Sequence, residues 1–431
     1  MAAAAHEADA ARDGQTALAL RLAKHLAPSQ DEQHAVSGNV AFSPVSVHAA
    51  LALVAAGARG ATRAQLLAFL GAPSAEALAG FGRRVADRVL ADRSDSGGPR
   101  VLFGGGVWVD ASRGGLTEAF PDVAAECYKS EAQTVSFAKE KAEAVKMIND
   151  WVKKATDNLI DTIISPNDID AATDLVLANA VYFKGAWLEP FNHYFTRRGD
   201  FHLLDGGHAE AKFMTGSRWL DVACMDGFKV LKLPYKPGQL SRGQLKRRRD
   251  QLDGGAATGE DSPWAEGTRY SMFVFLPDSR DGIATMVDVV TASPAFMYGI
   301  LAEMKERYVS LELPKFEVSF SCDDLKSTLR RLGLSLPFSA EAGDLRGMCK
   351  GDDVAGGPRR PTFVNKVAHT AIVKVNESGT EAVAVTVALR GGGGPPSDMV
   401  EFVADHPFTF FIMEERSGVI VFAGHVPDPT K

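Results

Sequence analysis

Residues His369 to Thr386 read HTAIVKVNESGTEAVAVT, and their chemistry is not that of an ordinary loop. Ile372 to Val375 form a strand-like run that leads into Asn376 and Glu377. After Gly379 come small or β-branched residues with a single charge, Glu381. Exposed loops are normally polar and rich in turn residues, whereas this composition suits a strand. Strand side chains alternate between faces, so Thr380, Ala382, Ala384 and Thr386 share one face, and Glu381, Val383, Val385 and Val387 the other. The first face is small and uncharged throughout and can slide over a packed interior. Gly379 supplies a pivot free of Cβ restriction. The chemistry these residues permit is conformational: a loop able to become a strand.

Covalent and metal chemistry find no comparable constellation. The phosphate-cradling pattern GxxxxGK[ST] and the GxSxG nucleophile elbow are absent, and His6-Glu7 begins no HExxH. Gly104-Gly105-Gly106 is no dinucleotide fingerprint and reads as a strand or turn that allows close backbone approach. Cys127, Cys224, Cys322 and Cys349 are far apart and form neither a CxxC nor a Cys/His cluster. They predict no disulfide framework and no zinc site, and scattered thiols fit a reducing compartment. The expectation is a protein that is not an enzyme and needs no metal or cofactor. A formal net charge of −7 gives no reason to expect nucleic acid or an anionic membrane as partner. Met1 to Gly14 is Ala-rich but interrupted by His6, Glu7, Asp9, Arg12 and Asp13, which is no secretory signal. It reads as a disordered tail ahead of one domain over 15–431, in a monomer of the cytosol with nuclear access.

The elements that must position the segment read as helices early and strands late. Leu18, Leu22 and Leu26 recur on one helical face. Ser43-Pro44 predicts a helix start capped by the Ser side chain, carried inward by Val47, Leu51 and Val54 and stopped at Gly57. Ala144, Ile148, Val152 and Ala155 form another stripe. Leu175–Ala178 and Ala180–Phe183 read as two short buried strands, followed by runs at 271–276, 309–313, 316–320, 408–412 and 418–422. Without regular βα alternation this is an α+β chain. Residues 236–268, 350–361 and 391–397 read as exposed loops. The first contains Lys246-Arg247-Arg248-Arg249, read as a solvated loop rather than a nuclear-import or polyanion patch.

Asn376 to Thr386 resembles the mobile-loop hinge of the serpins, close to NExGTEAAAAT, departing from it at Val383 and Val385. The resemblance extends over nearly the whole chain. Asn39 to Ser46 (NVAFSPVS) is similar to the family's helix start beneath the sheet, and Asn179 to Trp187 (NAVYFKGAW) to its central strand. His369 stands where the family keeps a histidine. Phe402 to Phe408 (FVADHPF) is similar to plant members, and Gly424 to Pro427 (GHVP) to the C-terminal strand.

That resemblance implies a helical N-terminal half packed on three β-sheets, with an exposed reactive-centre loop over 379–401. It implies a protease inhibitor acting as a suicide substrate: a serine or cysteine protease, papain-like or trypsin-like, cuts the loop, and the hinge inserts as a new central strand. Ser43, Ser46, Asn179 and His369 would lie under the sheet where it parts, and Trp187 and Glu377 where the loop enters. Family spacing places the reactive bond at Gly393-Gly394. Side-chain chemistry points instead to Arg390-Gly391, because Leu389-Arg390-Gly391 is similar to the scissile triplet of some plant members. The Arg390 choice leaves eleven insertable residues from Thr380, roughly 36 Å at ~3.3 Å each, against roughly 46 Å for fourteen. The glycines offer a protease no side chain to grip, and they favour the alternative of a non-inhibitory serpin used as a substrate, binding or storage protein. Asn376-Glu377-Ser378 is a formal glycosylation sequon, expected to be unmodified because a glycan would obstruct insertion.

Overall fold

The computed structural model describes residues 2–28, 38–238, 268–322, 324–350, 361–380 and 397–431. Among these residues, six α-helices lie in the first 155 positions, and three more follow at Ile283–Val290, Pro294–Ala302 and Leu325–Arg331. α1 spans Ala2–His25, α2 Pro44–Gly57, α3 Gly60–Phe69, α4 Ala75–Arg84, α5 Phe120–Tyr128 and α6 Lys141–Ala155. The strands are β1 (Val40–Phe42), β2 (Arg100–Asp110), β3 (Ser130–Val135), β4 (Leu175–Ala186), β5 (Arg197–His202), β6 (His208–Met225), β7 (Phe228–Pro234) and β8 (Tyr270–Pro277). They continue as β9 (Lys305–Pro314), β10 (Phe316–Ser321), β11 (Lys366–Asn376), β12 (Gly379–Thr380), β13 (Val400–Val403), β14 (Phe408–Glu414) and β15 (Val419–Val426).

Two corrections concern the helices. The predicted tail over 1–14 is instead the opening of α1, whose alanines are the strongest helix formers. Ala11 is buried, and Gly14 lies so close to α3 that a Cβ on it would fall 1.9 Å from the Leu70 carbonyl oxygen. Ser43 occupies the position before α2 with extended backbone, but its side chain caps nothing. Pro44 and Gly57 bound α2 as expected. Every residue of α2 except Ala56 is buried, so this helix is wrapped on all sides.

Strand order in the six-stranded sheet is β10-β11-β12-β4-β2-β3. The nine-stranded sheet runs β1-β15-β14-β8-β7-β6-β9-β13, with β5 also on β6. The third sheet expected from the resemblance is continuous with this one, because β6 is 18 residues long and serves both parts. The two runs predicted at 175–178 and 180–183 are one strand: Asn179 between them is fully buried and does not break β4. α6 covers one face of the smaller sheet, with Trp151 edge-on to Trp108 at 4.9 Å between ring centres. Gly104 makes that approach possible, since a Cβ there would lie 2.7 Å from that of Ala155. The other face packs on α2 and the larger sheet.

Candidate functional site

β4 and β11 pair in parallel from Val176 with Lys366 up to Tyr182 with Ile372. Above that row they part, and Gly379 and Thr380 occupy the gap as β12. Gly379 stands opposite Ala186 on β4 and Asn376 on β11, and Thr380 opposite Gly185 and Val375. The hinge is thus already antiparallel to both neighbours. Gly379 has φ +149°, and a Cβ on it would fall 2.0 Å from the Gly185 carbonyl oxygen. Only glycine fits here. Thr380 is fully buried and exchanges a 2.6 Å hydrogen bond with the Tyr235 hydroxyl. Burial pushes that phenol well above its ordinary pKa.

Trp187 holds the turn that feeds β12. Its indole Nε1 donates to the Asn376 carbonyl at 3.0 Å, and its backbone N–H donates to the Ser378 carbonyl at 3.0 Å. Its ring stacks on Tyr235 with 4.6 Å between centres. Asn376 Oδ1 accepts from the Ser378 N–H at 2.9 Å, closing the turn, and the Phe191 N–H donates to the Glu377 carbonyl at 2.8 Å. The Glu377 carboxylate takes an ion pair from Lys315 at 2.8 Å and a hydrogen bond from Thr196 at 2.8 Å. Burial works against the charged form, but these donors outweigh it and hold the Glu377 pKa below its usual range.

Lower down, His369 and Asn179 stand opposite each other on β11 and β4. His369 Nδ1 donates to Asn179 Oδ1, and Nε2 accepts from the Ser43 N–H at 3.0 Å. The Ser46 hydroxyl also donates to Asn179 Oδ1, at 2.9 Å. This pattern needs a neutral imidazole, and burial agrees, lowering the His369 pKa to about 4. Two buried atoms beside it, Asn179 Nδ2 and Ser43 Oγ, have no partner. The four residues therefore tie α2 to both strands at a point where the strands touch, and separating the strands breaks the His369–Asn179 bond directly.

The structure brings together Ser43, Ser46, Asn179 and His369 in one cluster, and Trp187, Glu377, Gly379 and Thr380 in another. Glu381, Ala382, Val383, Ala384, Val385, Thr386, Arg390, Gly391, Gly393 and Gly394 lie outside the described residues, as does most of 236–268. Sequence reasoning missed Tyr235, Lys315, Thr196 and Phe191. None belongs to a local motif. Lys315 alone left a trace, as a charge between two apolar-alternating strands. Among the described residues no group of His, Cys, Asp and Glu could hold a metal ion, and the four cysteines are free.

A family model described as "Serpin (serine protease inhibitor)" matches residues 13–245 and 261–429. The unmatched interval falls inside the loop read as an insertion. Putative serpin-Z5 of Oryza sativa subsp. japonica is 44% identical over 97% of this chain and 90% of its own length. Serpin-Z2B of Triticum aestivum is 40% identical over 96% and 95%. The structure of Arabidopsis AtSerpin1 in its native stressed conformation superposes with a TM-score of 0.78 at 33% identity, covering 98% of this chain and 99% of that one. Uncleaved ovalbumin, at 21% identity and a TM-score of 0.74, shares the fold.

Proposed function

The chain belongs to the serpin family as a plant-type member, and from that premise we propose that it inhibits serine or cysteine proteases as a suicide substrate. The observation that carries this reading is β12, a hinge already seated as the first two rows of a new strand between β11 and β4. Continuing its register downward assigns every following residue a place. Glu381 falls between Lys184 and Lys374, Ala382 between Phe183 and Val373, and Val383 between Tyr182 and Ile372. Ala384 falls between Val181 and Ala371, Val385 between Ala180 and Thr370, and Thr386 between Asn179 and His369. The rows are self-consistent, because Tyr182 already faces Ile372 and Asn179 already faces His369. The small-residue face points toward α2 and the core, and Glu381 meets two lysines on the opposite face.

In this mechanism the protease's nucleophilic oxygen or sulfur attacks the carbonyl carbon of the scissile residue. An acyl bond to the enzyme forms, the peptide bond breaks, and the next residue leaves as an amine carrying the proton. The freed upstream segment then zips into the slot, drawing the acylated protease with it. Inhibition follows when zipping outruns deacylation. Thr386 would bring a hydroxyl to the unpartnered Asn179 Nδ2 and Ser43 Oγ, offsetting the loss of the His369–Asn179 bond.

Family spacing favours cleavage at Gly393-Gly394, with Arg390-Gly391 as the alternative. By the same register Arg390 reaches Leu175 and Asn365, at the foot of β4. Either cut therefore releases enough chain to fill the twelve rows of β4. The second reading, a non-inhibitory serpin, draws support from Gly391 to Pro396, which offers neither side chains to a protease nor strand propensity beyond Arg390. We further propose a monomer in the cytosol with access to the nucleus.

The test is to mix the protein with papain and with trypsin and to follow denaturing gels with intact mass. A boiling-resistant band at the summed mass is the expected result, and the released C-terminal fragment locates the cut. Clean cleavage without an adduct across a broader protease panel would leave the non-inhibitory reading.

A further inference from the structure

The end of the molecule from which the hinge emerges carries apolar surface that stands open among the described residues. Tyr194 is 82% exposed, Trp219 55%, Leu188 54% and Phe195 49%. Among the described residues only one other large aromatic, Phe296, is comparably open, and it lies on the helix Pro294–Ala302. Tyr194 and Phe195 stand over the outer face of the β6/β9 pair. There Thr215, Gly216, Ser217 and Ser310 floor an open trough of about 590 Å³. Further along the same strands, beyond the trough's own lining, Trp219 stands opposite Tyr308, packs edge-on to it at 5.8 Å and borders a neighbouring cavity with Leu188. An Arg197–Glu312 ion pair closes the polar rim.

Both ends of the segment that carries the candidate reactive bonds are built into this trough's frame. Upstream, Glu377 is hydrogen-bonded by Thr196, next to Phe195, whose carbonyl accepts from the Thr215 hydroxyl at 2.7 Å. Downstream, β13 pairs with β9 along Val309–Glu312, the strand that supplies the trough's Ser310 and Glu312. A protease holding residues 381–396 is therefore tethered at both sides of this face. Beyond Arg390 the loop itself offers little to select it, four glycines and two prolines following.

We propose that this trough is a docking surface for the body of the target protease. It takes an apolar loop bordering the protease's active-site cleft, between the Tyr194 and Phe195 rings at one end and Trp219 at the other. Small floor residues leave room for the incoming side chain, and rigid aromatics supply contact area at low entropic cost. Selection of the protease is then made largely outside the loop. This proposal rests on the inhibitor reading above.

The test compares the full-length protein with a Tyr194→Ala/Phe195→Ala/Trp219→Ala variant against papain and trypsin. It measures the second-order rate of adduct formation and, separately, the number of inhibitor molecules consumed per protease. A tenfold or greater fall in rate with one of the two, at unchanged stoichiometry, is expected, because docking precedes acylation and insertion follows it. Tyr194→Arg, at the most exposed position, provides a variant whose folding is not at risk and should lower the same rate at least threefold. Rates within twofold of wild type with both proteases would overturn the proposal. If neither these two proteases nor any of a broader panel forms an adduct, the inhibitor reading fails instead. The rate of loop cleavage in intact protein, relative to a synthetic 381–399 peptide, then decides the docking surface by the same thresholds. A dimer in solution that Tyr194→Arg dissolves would assign the face to self-association and overturn it too.

Discussion

The register of β12 makes a sharp prediction about two adjacent residues, Glu381 and Ala382. Ala382→Glu places a carboxylate on the inner face between Phe183 and Val373, both fully buried, with the Tyr235 ring 4.9 Å from that of Phe183. An unpaired buried charge costs several kcal/mol, and about 3 kcal/mol shifts a competition between two rates roughly 150-fold. Glu381→Lys lies one residue away on the other face, beside Lys184 and Lys374. Lys374 is partly solvated and already paired with Glu317 at 2.8 Å. Exposed charge contacts are worth about 0.2 to 1 kcal/mol each, so losing two of them shifts the competition roughly 2- to 30-fold, well short of the effect at Ala382. The assay is the partition between boiling-resistant adduct and cleaved product with papain and trypsin. Ala382→Glu should be cut without forming adduct, whereas Glu381→Lys should keep most of it. Because a buried acid escapes its penalty by taking up a proton, lowering the pH from 7.5 to 5.5 should restore adduct to Ala382→Glu alone. Equal losses in the two variants, or adduct retained by Ala382→Glu at pH 7.5, would refute the assigned register.

Three further outcomes follow from the same geometry. Tyr235→Phe strips Thr380 of its 2.6 Å partner and leaves a buried hydroxyl unsatisfied, at about 1 to 3 kcal/mol; hydrogen exchange should show the 379–380 amides opening faster while the rest of the sheet is unchanged. Gly379→Ala cannot hold φ +149° against the Gly185 carbonyl, so it should abolish protection at those two amides altogether and reduce adduct yield. His48, His369 and His425 are fully buried, each with a pKa lowered to about 4 by desolvation. The unfolded chain binds protons to them near pH 6.5 and the folded chain does not, so stability is full above that pH and falls as the pH drops toward 4. The ceiling is on the order of 3 kcal/mol per histidine, and guanidinium midpoints at pH 7 and 5 should show the decline, reduced in His369→Asn.

What the sequence disclosed was what local chemistry can encode. Pro44 and Gly57 bound α2 because backbone geometry makes proline fit a helix start and glycine a helix stop. Gly379 was legible as a pivot, and its φ of +149° against the Gly185 carbonyl is one that only glycine adopts. Asn179 misled, since a polar residue amid apolar ones reads as a break; its side-chain oxygen accepts from Ser46 and His369, which lie far away in sequence. Ser43 looked like a cap for the same local reason, yet its N–H is engaged by His369 and its hydroxyl caps nothing. Tyr235 left no sign and Lys315 only a charge between two strands, because their importance comes from meeting Thr380 and Glu377 across more than 60 positions of chain.

The two anchors of the loop are unequal in mechanical terms. Upstream, the strap is fastened by the two rows of β12, at the mouth of a slot that offers ten more rows of β4 beneath it. Downstream, it is fastened by four rows of β13 on β9, with Phe402 sunk completely into the core and the chain running straight on into β14. On the proposed mechanism, the end that moves after a cut is the one with the weaker fastening and somewhere to go. The direction in which a captured protease would then be hauled is set by how many rows each end was given.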